Sequence, residues 1–192
     1  MPLRKLRPSL QTGGDREAEL EAARLVGLIA AEVPGLRRYA TAWTGDFALA
    51  EELVGAAIRR AYEARDSLAE PVRLRTWLFW WLTRVREEQP ETPEATPPRP
   101  RFGGRGRIEE MIGSLSPVDA PPARILVAAL ARLAPAERQV VLLVDLEGMS
   151  YREVGEVLTI PLGHVVSTLA EGREHLRLLI EQATTAEEEP AR

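Results

Sequence analysis

The chain has 192 residues, with 25 Lys/Arg against 29 Asp/Glu and a net charge of −4. That is the size of one medium domain or two small ones, without the basic excess of a protein that binds nucleic acid through bulk charge. Cysteine is absent, which excludes disulfides, thiolate metal sites and cysteine nucleophiles.

No apolar run approaches the ~20 residues that cross a bilayer, and Arg4, Lys5 and Arg7 are not followed by the apolar core of a secretory signal. A cytoplasmic protein without membrane insertion is expected. Helix formers dominate and no alternating apolar/polar run argues for a sheet, so the expected fold is all-α. After a flexible N-terminus over residues 1–16, a first helix is expected near Glu17–Glu32. Asp46 suits the N-cap of a second helix reaching about Arg65. Leu49, Leu53, Ala57 and Ala61, flanked by Val54, Ile58 and Tyr62, give it a wide apolar face. A third helix, about Val72–Glu88, aligns Leu74, Trp77, Leu78, Trp81, Leu82 and Val85 on one side. Trp80 falls off that side, beside Arg73 and Arg84. Three roles are open to it: a cap on the edge of the core, a stacking platform for an unstacked base, or an anchor for a protein partner. Residues 17–88 thus read as one small helical domain.

From Gln89 to Pro122 the chain is rich in Pro, Gly, Glu and Arg and cannot bury enough apolar surface to fold alone. Residues 89–122 are read as a flexible linker. Ile108, Met111, Ile112 and Leu115 interrupt it at helical spacing, as a transient helix or as a docking segment. Gly103–Gly106 follows no strand and lacks the Lys-Ser/Thr ending of a phosphate-binding loop.

Residues 123–182 carry the sharpest local pattern. Pro135 fits the first position of a helix; Val140, Val141, Leu143, Val144 and Leu146 supply its apolar face, and Gly148 stops it. Ser150 and Glu153 form a capping-box pattern that opens a short helix through Leu158, with Val154, Val157 and Leu158 as its buried side. Thr159 and Ile160 make a turn. Pro161 then opens a third helix along which Leu162, Val165, Leu169, Leu176 and Leu179 recur at helical spacing. A short helix, a tight turn and a longer helix is the geometry that sets a recognition helix into a major groove. Residues 183–192 are read as a disordered acidic tail. The two histidines, His164 and His175, stand too far apart along a helix to share a metal. No Ser/His/Asp arrangement or acid/base carboxylate pair stands out, so neither an enzyme nor a cofactor is expected.

Between Leu130 and Arg177, the elements Leu133-x-Pro135, Arg138, Gly148-x-Ser150-Tyr151-x-Glu153-Val154, Ile160-Pro161-x-Gly163-x-Val165 and Ser167-x-Leu169 resemble region 4 of the bacterial sigma-70 superfamily. The resemblance is to its small extracytoplasmic-function (ECF) group. Leu36–Asp66 resembles region 2 of the same proteins, and Arg75–Phe79 its later helix. The resemblance implies two small helical domains, with core RNA polymerase, promoter DNA and an anti-sigma factor as partners. It assigns polymerase contact to Glu51, Glu52, Leu53, Val54 and Ile58. It assigns DNA contact to Arg73, Trp80 and Arg84 in the first domain, and to Arg152, Pro161, His164, Ser167, Thr168 and Arg173 in the second.

The chain departs from the family where charge matters. Gly55, Ala56 and Ala57 stand where polar residues usually face the polymerase, and Glu87 and Glu88 follow the third helix in place of basic residues. Val166, Thr168 and Glu171 occupy positions of the recognition helix that are commonly Lys or Arg. Six arginines face seven acids over Arg124–Ile180, and nine face eight over Leu36–Glu88. Each lost cation removes part of the salt-dependent affinity for DNA. Two functions are weighed. One is an ECF-type sigma factor that directs promoter recognition and transcription initiation, with His164, Ser167, Thr168 and Glu171 turned outward toward base edges or phosphates. The other is a sigma-like decoy that keeps the fold, leaves promoter DNA alone and sequesters an anti-sigma factor, with those side chains forming a solvated helix face.

Overall fold

The computed structural model describes residues 13–68, 73–89 and 123–188, and their regular structure is helical throughout. The first helix, α1, spans Gly13–Thr44 with Pro34 inside it. It starts earlier than the expected Glu17 and continues past Glu32. The cause is packing: Leu36, Tyr39 and Ala40 are fully buried beyond the proline, which outweighs the one N–H that Pro34 removes.

Gly45, at φ 69°, turns the chain into Asp46, whose carboxylate accepts from Ala48 N at 2.8 Å and Leu49 N at 3.1 Å. This is the expected N-cap, and it opens α2 (Phe47–Glu63). Ala50, Leu53, Val54, Ala57 and Ala61 of α2 are buried where it packs on α1 and on α3 (Leu74–Glu88). From α3 come Leu74, Leu78, Phe79, Leu82 and Val85. Tyr39 meets Phe79 edge-on with ring centroids 5.4 Å apart. Trp77 and Trp81, expected on the same face, are only half-buried. The linker reading, with Ile108–Leu115 and the glycine run, lies outside the described residues apart from Gln89 itself.

In the C-terminal half, α4 (Ala123–Arg132) leads into α5 (Pro135–Val141), with Pro135 at the expected first position. The helix then widens into a π-turn over Leu142–Leu146, in which Glu147 N donates to Leu142 O at 3.0 Å. Gly148 ends it at φ 67°, the left-handed conformation a helix stop requires. Next comes α6 (Tyr151–Leu158). Its capping box is complete: Ser150 N donates to the Glu153 carboxylate at 2.8 Å, and Glu153 N to Ser150 Oγ at 3.3 Å. Thr159 takes the left-handed conformation at φ 56°, and α7 (Leu162–Glu188) follows.

The long α7 corrects the reading of a disordered tail as far as Glu188. Helix formers dominate this stretch, and the Thr184 and Thr185 hydroxyls donate to Ile180 O and Glu181 O, each at 2.9 Å. Gly172 lets α7 cross α5 closely: a Cβ there would stand 2.9 Å from Val141 Cγ2 and 3.2 Å from Glu137 Cβ. The two halves also pack on each other, α3 against α6 and α1 against the π-turn, through one continuous apolar core.

Candidate nucleic-acid and partner surface

The helix-turn-helix buries Val154, Val157, Val165 and Leu169 and leaves His164, Ser167, Glu171 and Arg173 exposed on α7. Ser167 Oγ donates to His164 O at 3.1 Å. Pro161 is exposed, and its carbonyl accepts from His164 N at 2.9 Å and Val165 N at 3.1 Å, closing the start of α7. Arg152 is the most open of the candidate cations, its guanidinium reaching Glu156 at 3.6 Å. Arg173 is already engaged. Its Nε donates to Asp145 Oδ2 at 3.1 Å, and that hydrogen bond raises its pKa above the ordinary arginine value.

Thr168 is a correction. It is 5% exposed and lies on the inward stripe of α7 with Val165, Leu169 and Gly172, so it does not face a groove. The family's basic position suggested an outward side chain, whereas spacings of three and four from Val165 and Gly172 place it against the core. What α7 does present outward, besides its polar residues, is apolar: Leu162 is 56% and Val166 47% exposed.

The polymerase-contact reading needs a similar correction. Leu53 is 0% and Val54 3% exposed, both spent on the core that α2 forms with its neighbours, so neither is offered to a partner. Glu51 is half-buried and held by Arg37, Nε to Oε1 at 2.8 Å. Glu52 is exposed and Ile58 half-buried.

Arg73, Trp80 and Arg84 are brought together, but toward the other half of the chain. Arg73 reaches Glu156 at 3.4 Å. Arg84 donates to Thr159 Oγ1 at 2.9 Å and to Glu87 at 2.7 Å while its guanidinium stands 5.4 Å from the centre of the Trp80 ring. Trp80 and Trp77 both meet Trp81 edge-on, at 5.0 and 6.3 Å, and the three indoles line a groove of about 570 Å³ together with Arg73 and Glu156.

Glu147 is the residue that sequence reasoning missed. Its carboxylate is wholly buried between the halves. Arg38 grips it with both forks, Nε to Oε1 at 2.8 Å and a terminal nitrogen to Oε2 at 2.7 Å. A terminal nitrogen of Arg75 donates to Oε2 at 2.9 Å and to the Glu147 carbonyl at 2.7 Å. Burial raises the Glu147 pKa above the ordinary carboxylate range, against the pull of Arg38 and Arg75. Nothing local marks this residue: its partners lie 109 and 72 positions away. Arg138 ties the halves nearby, donating to Trp43 O at 3.2 Å and to Ala131 O at 2.6 Å; burial lowers its pKa. Among the described residues no cluster of His, Cys, Asp or Glu is suited to a metal, and no helix is long and apolar enough to cross a membrane.

These features define an all-α protein of two helical halves, the second a helix-turn-helix. Residues 123–176 match the family model of sigma-70 region 4, and residues 29–83 match that of the Sigma2 domain of PhyR. Over 52 residues, 27% of the chain, it is 48% identical to the ECF RNA polymerase sigma factor SigE of Mycolicibacterium smegmatis; the chain spans only 20% of that relative's length. Its fold is shared with the sigma factor RpoE solved in complex with the anti-sigma factor NepR from Bartonella quintana (TM-score 0.59, 21% identity, 86% of this chain and 98% of that one). It is shared equally with CnrH in complex with the cytosolic domain of CnrY (0.62, 21%, 88% and 97%). A third similar fold is that of the PhyRSL–NepR complex from Sphingomonas sp. Fr1 (0.56, 21%, 81% and 88%). The C-terminal half thus matches the sigma-70 region 4 family and the N-terminal half the Sigma2 domain family, and the fold is shared with the solved complexes named above.

Proposed function

We propose that this chain is an ECF-type sigma factor, a cytoplasmic regulator without cofactor that binds core RNA polymerase and directs it to promoters. Residues 17–88 and 123–182 are its two working domains. The observation that carries the reading is the α6–turn–α7 unit, in which a complete capping box, the left-handed Thr159 and the buried Val165 set α7 so that His164, Ser167 and Arg173 are exposed along it. DNA contact then rests on Arg152, Pro161, His164, Ser167 and Arg173, without Thr168. Polymerase contact rests on Glu51, Glu52 and Ile58. Arg73, Trp80 and Arg84 join the DNA surface once they leave Glu156 and Thr159.

The test mixes the purified protein with core polymerase, isolates any complex by gel filtration, and assays promoter opening over a salt series. A stable complex that opens promoter DNA supports the reading; absence of both overturns it. Two observations favour a second reading, the decoy. Leu162 and Val166 give α7 an apolar outer strip where phosphate contact needs cations, and residues 29–83 match the Sigma2 domain of PhyR. Capture of an anti-sigma protein without core binding selects the decoy.

A further inference from the structure

The contact between the halves is built around a receptacle. Gly35 on α1 is its floor: a Cβ there would stand 3.0 Å from Glu147 Oε2 and 3.8 Å from the Phe79 ring. Arg38, one turn along α1, and Arg75, on α3, are its two walls, and the guanidinium of Arg75 stands 5.6 Å from the centre of the Phe79 ring. The opening admits one carboxylate with room for nothing larger than hydrogen at position 35. Glu147 fills it because the π-turn inserts an extra residue just before it, setting its side chain against α1.

We infer that Gly35, Arg38 and Arg75 form a carboxylate-binding site on the N-terminal half, that Glu147 is its releasable internal ligand, and that its filling holds the chain closed. Of the other polar contacts across the seam, Arg138 supplies a single hydrogen bond, to Trp43 O at 3.2 Å, and Arg84 a single one, to Thr159 Oγ1 at 2.9 Å. The Arg73–Glu156 pair is exposed, and such pairs contribute little. A buried carboxylate gripped by two arginines is different in kind: it fixes register, because removing either side strands a buried charge. Release is possible because opening returns all three groups to water together, and the arginines are already partly exposed. The closed form turns Arg73 and Arg84 onto Glu156 and Thr159. The consequence for nucleic acid rests on the function proposed above, while the site itself does not.

The natural lack of cysteine permits a direct test on the full chain. Cysteines placed at the exposed Glu63 and Gln182 carry a donor and an acceptor dye. Glu147→Ala should lose most of the wild-type energy transfer while circular dichroism retains the helical signal. Sodium propionate should restore transfer further than sodium chloride at equal ionic strength, since its carboxylate fits the emptied seat. Arg38→Met added to Glu147→Ala should abolish that difference. Glu147→Gln, which keeps the shape and removes the charge, covers the case of a misfolded alanine variant and should also open. Wild-type transfer in both Glu147 variants, or equal effects of propionate and chloride, overturns the inference. The readout involves neither polymerase nor DNA, so failure of the sigma-factor reading leaves it standing. Conversely, an unchanged transfer would leave core-polymerase binding to be judged by its own assay.

Discussion

A methyl group added at Gly172 meets the wall of a neighbouring helix, whereas the same methyl added at Gly27 meets open space. Both glycines lie inside helices, α7 and α1. Replacement by alanine therefore brings each about 1 kcal/mol of helix propensity. At Gly27 nothing lies within 4 Å of the new carbon, and the gain is kept. At Gly172 the carbon falls 2.9 Å from Val141 Cγ2 and 3.2 Å from Glu137 Cβ, both closer than carbon atoms sit in packed proteins. Val141 is itself buried, so it has nowhere to move without disturbing α5. Overpacking of this kind costs about 1–3 kcal/mol. The two alanine variants should accordingly differ by about 1–3 kcal/mol, with Gly27→Ala above the wild type and Gly172→Ala at or below it. Urea unfolding followed by circular dichroism measures the difference. Equal stabilities would refute the close crossing of α7 over α5, and with it the account of how the helix-turn-helix holds its recognition helix.

Three further outcomes separate packing from contact. Leu53→Ala should lose about 2–5 kcal/mol of stability as a cavity opens under α2, whereas Glu52→Ala should stay within about 0.5 kcal/mol of the wild type and weaken core-polymerase binding; thermal melting and a pull-down read the two effects, and an unaffected Leu53→Ala would contradict the burial. Val166→Lys should fold normally and steepen the salt dependence of duplex-DNA binding by about one unit, while Thr168→Arg should lose the fold because it buries a charge; fluorescence anisotropy and melting compare them, and a stable Thr168→Arg would place that side chain outside. Finally, hydrogen bonds from Ser150 hold the Glu153 carboxyl below its ordinary range. A folded value depressed below the unfolded one means stability that is present above the unfolded value, ~4.3, and lost as pH falls through the folded one. Ser150→Ala should therefore cost about 1 kcal/mol at neutral pH and progressively less in acid; a gap that stays constant with pH would argue against the capping box.

Signals between near neighbours were legible in the chain. Asp46 as a cap, the Ser150–Glu153 box, Pro135 at a helix start and Gly148 at a stop all act within four residues, and each is found in place. Periodicity located the apolar faces of α2 and α3. It could not say which members of a wide face are fully covered: Leu53 and Val54 read as partner contacts through family likeness and proved to be core, and Thr168 likewise. The helix ends also moved where packing or propensity carried a helix onward, past Pro34 in α1 and through Thr184 in α7.

By itself, then, the sequence determined an all-α chain with a helix-turn-helix and a depleted set of exposed cations, because caps, stops and helical spacing act between residues a few positions apart. Tertiary structure alone decided where the remaining cations go. Arg38 and Arg75 close on Glu147, Arg73 on Glu156, Arg84 on Thr159 and Arg173 on Asp145. Those partners are 28 to 109 residues apart in the chain. No local rule reaches that far: the pairs exist only once the apolar faces have packed and brought distant charged side chains together.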